Sequence, residues 1–207
     1  MESSKFSLKF FLQKPDAVRA DRLVPIFHSW IQMHALADHL LIDVADYDHV
    51  HRGPGIALIS HEANYYLDEI GGKKGLTYQH KQPIDAKLSY KLRKIFRWTL
   101  DACLLLEQSP ALSGVAFRTD QVQLRIHDRL HGPNDPQTFV AIKLELLKVA
   151  QQLFGSDVQV EQTKNSPQEM FEVTIKSKQS PSVAELLNRL TSMTTPAGSA
   201  LDPGSNI

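Results

Sequence analysis

Between Asp43 and Lys81 the chain gathers most of the side chains that could move a proton, hold a metal or bind an anion: Asp43, Asp46, Asp48, His49, His51, Arg52, His61, Glu62, Asn64, Asp68 and His80. Three chemistries fit these types. Asp46, His49 and His51 share a polar loop and could ligate a divalent cation, because imidazole and carboxylate suit zinc, manganese or iron. Three such ligands leave an open position for hydrolysis. The spacing is not the His-Glu-x-x-His of a helical zinc site, and loop histidines also serve as plain solvated residues. Arg52 with the backbone amides of Gly53 and Gly55 could hold a small carboxylate or phosphate, since glycine allows close backbone approach. No helix begins there to add its dipole, and Gly53-Pro54-Gly55 also reads as a simple turn. His61 and Glu62, with Tyr65 or Tyr78 as proton donor, could do acid–base work. Neighbours on a strand point to opposite faces, so that pair needs a bulge to act on one substrate.

The elements that must carry these residues follow from periodicity. Phe6, Leu8, Phe10 and Leu12 alternate, as in a strand with one buried face. From about Asp21, Leu23, Ile26, Phe27, Trp30 and Ile31 mark one helical face, with Pro25 tolerated in a first turn. Leu40 to Val44 reads as a central strand, 45–55 as a polar loop and Ile56 to Ser60 as a third strand. Along that strand His61 ends about 17 Å from the start, away from the loop histidines. Residues 64–81 read as a hairpin around Gly71-Gly72-Lys73-Lys74-Gly75. A helix is expected from about Asp85 to Pro110, with a basic stripe of Lys87, Lys91, Arg93, Lys94 and Arg97 opposite its apolar face. That stripe could dock an acidic partner or RNA, or simply be solvated. Two short strands are expected on either side of Thr119-Asp120-Gln121. Asp135-Pro136 caps a helix running through Phe139, Ile142, Leu146, Val149 and Leu153, which Gly155 closes. A strand pair flanks Asn165-Ser166-Pro167. Ser182 and Glu185 form a capping box for a last helix to about Leu190, and 192–207 is expected to be a disordered tail.

Strand, helix, strand, strand at 6–12, 21–36, 40–44 and 56–60 recur at 122–128, 136–154, 157–161 and 171–176, an offset near 116. The expected fold class is therefore α+β. It consists of two tandem ferredoxin-like units, βαββαβ then βαββα, with helices packed on antiparallel sheets. The first occupies 1–119 with the hairpin inserted at 64–81, and the second 120–191. A single domain with one continuous sheet is the alternative. His51-Arg52-Gly53-Pro54-Gly55, His61-Glu62, Tyr65, Asp68 and Gly75-Leu76-Thr77-Tyr78 resemble a block in uncharacterised bacterial proteins of about this size. The resemblance implies that any site lies in this block and supplies no chemistry.

Composition narrows the function classes. The 207 residues hold 23 Lys+Arg against 23 Asp+Glu, nine His, one Cys and 42% hydrophobic residues. Balanced charge lacks the basic footprint of a nucleic-acid or anionic-membrane binder. A single Cys rules out an internal disulfide framework and multi-Cys metal sites. With no signal-like N-terminus or spanning apolar run, a cytoplasmic protein is expected. The leading expectation is a non-enzymatic binding or scaffold protein acting through 46–78. Its ligand site would use Arg52, Gly53, Gly55, His61, Glu62, Tyr65 and Tyr78, and its partner would be a small anion, a protein or a second copy. A homodimer would form if the 64–81 hairpin paired edge to edge. The alternative is a metal-dependent hydrolase, with a divalent metal on Asp46, His49 and His51, or another small enzyme using His49, His51, His61 and Glu62 of the same region.

Overall fold

The computed structural model describes residues 5–50, 53–163, 166 and 168–194. Eight strands form one antiparallel sheet: β1 (Phe6–Leu12), β2 (Leu41–Tyr47), β3 (Gly55–Ser60), β4 (Ala63–Asp68), β5 (Gly75–His80), β6 (Phe117–Ile126), β7 (Val158–Gln162) and β8 (Phe171–Ser177). Four helices accompany them: α1 (Ala20–Met33), α2 (Leu88–Glu107), α3 (Pro136–Phe154) and α4 (Val183–Thr194). Spatially the strands run β2-β3-β4-β5-β1-β6-β8-β7. The chain is thus α+β with a single sheet, and β1 pairs directly with β6. The join expected at Asp120 falls inside β6, which is one continuous strand rather than two. A register shift between Phe10 and Leu12 absorbs the irregularity around Asp120.

Pairing register fixes what each face carries. Leu58, Tyr65, Tyr78, Leu8, Leu124 and Val173 lie opposite one another across β3, β4, β5, β1, β6 and β8. All are buried and belong to one core cluster with Leu23 and Phe27 of α1, Ile95 and Phe96 of α2, Leu146 of α3 and Leu186 of α4. One residue along, the row reads Ala57, Tyr66, Thr77, Lys9, Gln123 and Thr174, so the opposite face is largely polar. Side chains alternate across a strand, and that alternation separates the two environments.

Local signals act where their chemistry is strong. The Asp135 carboxylate accepts the Thr138 amide at 2.7 Å. Ser182 and Glu185 cap reciprocally: the Glu185 amide donates to Ser182 Oγ at 3.2 Å, and the Ser182 amide donates to the Glu185 carboxylate at 2.7 Å. Gly155 closes α3 at φ 97°. Four expectations need correction. Pro25 sits sixth in α1, where its missing N–H would have paired with the carbonyl of exposed Asp21, which water can satisfy. The strand expected at 40–44 is an edge strand with Ile42 exposed, not a central one. Residues 192–194, expected in the tail, continue α4, while 195–207 lie outside the described residues. Both edges of the β4–β5 hairpin are paired, to β3 and β1, so it has no free edge for a second copy; the open edges belong to β2 and β7.

Candidate functional site

The hairpin inserted between β3 and β1 widens the sheet by two strands without adding a helix. α1 packs over β2 and β3, and α2 over β5 and β1. Between them, closed at one end by α4, lies an open cavity of about 860 Å³. Leu36, Leu104, Leu105, Leu190 and Met193 make its apolar walls, and His39 and Tyr65 lie at its base. That volume falls in the range that accommodates a small organic molecule.

Beneath the cavity runs a chain of hydrogen bonds. Tyr65 and Tyr78 are cross-strand partners with ring centroids 5.1 Å apart. Tyr65 Oη lies 3.4 Å from His39 Nδ1, His39 Nε2 lies 3.1 Å from Tyr78 Oη, and Tyr78 Oη lies 2.7 Å from His80 Nδ1. His80 stacks on Trp98 at 5.3 Å, and His39 meets the same indole edge-on at 5.0 Å. Burial lowers the His39 pKa despite the nearby carboxylates of Glu62 and Asp38. Burial, with His39 adding to it, pushes His80 down to about 4. Burial also holds both phenols above their ordinary range. All four groups are therefore neutral near pH 7. Tyr78 has a single proton, so it donates to one imidazole and accepts the N–H of the other. Two proton arrangements of opposite polarity satisfy the same chain, and His80 Nε2 at its far end has no hydrogen-bond partner among the described residues.

The rim is charged. Asp38 accepts the Trp98 Nε1–H at 2.7 Å and lies 3.5 Å from Lys94 Nζ, which itself sits 5.5 Å from the indole centroid. The indole N–H, with Lys94 behind it, outweighs burial and holds the Asp38 carboxyl below its usual range. One turn on, Arg97 pairs with Asp101 at 3.3 Å and donates to Thr191 of α4 at 2.9 Å. Burial raises the Asp101 carboxyl pKa despite Arg97. Arg93, one turn before Arg97, lines the same cavity and has no ion-pair partner among the described residues. Asp38 and Asp101 thus offset Lys94 and Arg97, leaving the Arg93 guanidinium over apolar walls without an ion-pair partner among the described residues.

The chain matches no protein-family model, no curated protein and no solved structure.

Of the residues expected to form the ligand, metal or acid–base site, Tyr65 and Tyr78 lie in this arrangement and the others do not; His80, and Arg93, Lys94 and Arg97 of the basic stripe, also belong to it. His61 and Glu62 occupy the tight β3–β4 turn rather than a strand, so they come together at 3.4 Å instead of pointing apart. Glu62 accepts the Leu40 amide at 2.9 Å; burial opposes its ionisation, but that bond and the neighbouring imidazoles hold its pKa below the usual range. Its role is to pin the start of β2. Asp46 accepts the Asp48 amide at 2.9 Å in the β2–β3 turn, and His49 is exposed there. Because Tyr47 pairs with Gly55 and Leu41 with Ser60, His49 and His61 lie at opposite ends of the ladder. Among the described residues no three His, Cys, Asp or Glu side chains are grouped to hold a metal; His51 and Arg52 lie outside them. The Gly53 amide already donates to the Val50 carbonyl at 2.8 Å, which removes it from an anion cradle. Gly55 takes φ +66°, and a Cβ there would stand 2.2 Å from the Leu67 carbonyl oxygen, so its smallness serves strand packing. In the basic stripe Lys91 is buried and Lys94 and Arg97 are paired at the cavity, so the stripe is not one solvated face.

His39, Asp38 and Trp98 were missed as site residues. Tyr78 and His80, two apart on a strand, must share a face, and that spacing was readable. His39 stands in a connection with no period, and nothing local places it against the hairpin. Among the described residues no helix is long and apolar enough to cross a membrane.

Proposed function

We propose that this protein binds a small organic anion with an apolar or aromatic body in the cavity between α1, α2 and α4. The carrying observation is Arg93, without an ion-pair partner among the described residues, above apolar walls and a neutral histidine–tyrosine base. Arg93 takes the acidic group, Leu104, Leu105 and Leu190 take the body, and His39 and Tyr65 present polar atoms that orient it. The role is binding rather than catalysis, because among the described residues no activated nucleophile lines the cavity. Cys103 is fully buried, and burial pushes its thiol well up. Anilinonaphthalene sulfonate is a suitable probe, being an aromatic body with one acidic group. Saturable one-to-one binding by fluorescence is expected. Arg93→Leu should weaken it about tenfold, as for the loss of one charge-assisted hydrogen bond, and Leu105→Trp should weaken it by intruding on the apolar wall. Unchanged binding in both variants, or none in the unmodified protein, sinks the proposal.

We infer further that the halves are two ferredoxin-like units, 1–119 and 120–191, sharing one sheet. Strand orders β1-(β5-β4)-β3-β2 and β6-β8-β7 support this, with the hairpin inserted between the equivalents of β6 and β8. The block that resembles uncharacterised bacterial proteins supplies Tyr65 and Tyr78, so the segment carrying the resemblance also builds the cavity base.

A further inference from the structure

The sheet face away from the helices holds a second, smaller pocket of about 160 Å³. It straddles β4, β5, β1 and β6, where Tyr66, Thr77, Lys9 and Gln123 lie side by side in register. Lys9 is buried, with 4% of its surface exposed. Its ammonium crosses β5 to reach Asp68 at 2.6 Å and the Ile70 carbonyl at 3.1 Å. β5 offers Gly75 at the crossing, where a Cβ would meet the Phe10 carbonyl oxygen at 2.4 Å and Lys9 Cε at 3.1 Å. Beside it Arg125 pairs with Glu172, and His127 Nε2 lies 2.8 Å from Ser7 Oγ. Burial, reinforced by Arg125, depresses His127 to about 4.

Two nearly buried ion pairs on a sheet face are a poor source of stability, because desolvation offsets their attraction. On their cationic side they leave donors over. Asp68 Oδ1 is already used by Lys9 and the Ile70 amide, and Glu172 is used by Arg125. An ammonium has three N–H groups and Lys9 uses two; a guanidinium has five and Arg125 Nε is the one bound to Glu172. The Tyr66 hydroxyl accepts from Asn64 and has its own hydrogen to give. The Thr77 hydroxyl oxygen is buried without any hydrogen-bond partner among the described residues. We propose that this pocket binds a small oxyanion, a carboxylate or a phosphate, through Lys9, Arg125, Thr77 and Tyr66. The space equals roughly five waters at about 30 Å³ each, enough for such a group and a water or two. Because Asp68 and Glu172 cancel the two cations, hydrogen bonding selects the ligand. A group made only of acceptors satisfies the most donors in that volume.

The test is calorimetric titration with inorganic phosphate and, separately, malonate at constant ionic strength. Thr77→Val is the central variant, because it removes an unpartnered hydroxyl at constant shape. It should leave the melting temperature unchanged or raised while weakening binding at least threefold. Lys9→Gln should abolish binding, and Thr77→Val decides the matter if that variant fails to fold. Tighter binding of phosphate than malonate identifies a phosphate site, and the reverse a carboxylate site. Arg93→Gln, in the helical cavity, should leave either affinity unchanged. No binding by the unmodified protein, no change in Thr77→Val, or loss confined to Arg93→Gln overturns the inference. The last result would place the anion in the helical cavity instead.

Discussion

Acidification should unfold this protein through its buried histidines, by an amount that can be worked out. His80 and His127 both fall from 6.5 to about 4 on folding. A group with a depressed folded pKa stays neutral in the native chain while the unfolded chain takes up its proton. Its contribution is therefore fully present above about pH 6.5 and is lost as pH falls toward 4. At 1.36 kcal/mol per pKa unit, lowering pH from about 7.5 to about 5 removes about 2 kcal/mol through His80. His127, depressed to the same value, removes about 2 kcal/mol by the same arithmetic. His39 is lowered too and adds in the same direction, whereas the raised carboxyls of Asp101 and Glu107 act against it. Urea unfolding followed by circular dichroism at both pH values, for the unmodified chain and for His80→Gln and His127→Gln, isolates each histidine from those carboxyls. Each variant should lose less stability on acidification by the amounts above. A loss in His80→Gln equal to that of the unmodified chain, or a His80 resonance titrating above pH 6, would refute the neutral-base account of the cavity; the same results for His127 would refute its burial on the opposite face.

Two further outcomes test particular contacts. Tyr78→Phe removes the one hydroxyl between His39 and His80, both nearly fully buried. It should cost about 2–4 kcal/mol, as for two polar atoms left unpaired, whereas Tyr65→Phe, which loses only the 3.4 Å contact, should cost under about 1 kcal/mol. Chemical denaturation checks the order, and equal losses would mean that the chain is not continuous. Gly75→Ala should lower stability by about 2 kcal/mol or more, because the new methyl meets the β1 backbone and the crossing Lys9 chain. A melting temperature within a degree or so of the parent would show that Lys9 takes another path.

Much of the architecture was legible because it rests on short-range chemistry. The Asp135 cap and the Ser182–Glu185 box depend on residues a few positions apart and perform their expected roles. The alternation of Phe6, Leu8, Phe10 and Leu12 places β1, although that strand is buried on both faces rather than on the one expected. The site was only half legible. Tyr65 and Tyr78 were found because they sit in a residue-dense hairpin, yet their importance was assigned to His61 and Glu62, which instead secure the β3–β4 turn and the start of β2. Lys9 reads in sequence as an outward polar residue of an alternating strand. Its burial arises only when Asp68, some sixty residues away, is brought beside it.

By itself, then, the sequence determined the strands, the helices, their caps and the chemical crowding of the inserted hairpin, since these follow from periodicity and local hydrogen bonding. The tertiary structure decided that the two halves share one sheet. It also decided that the hairpin lies inside that sheet rather than at its edge, and that a gap opens between α1 and α2. Strand order and helix placement are set by which apolar faces bury together over long separations, a choice that no local pattern records. That choice made His39 and Trp98 neighbours of Tyr78, and left Arg93 at the cavity without an ion-pair partner among the described residues.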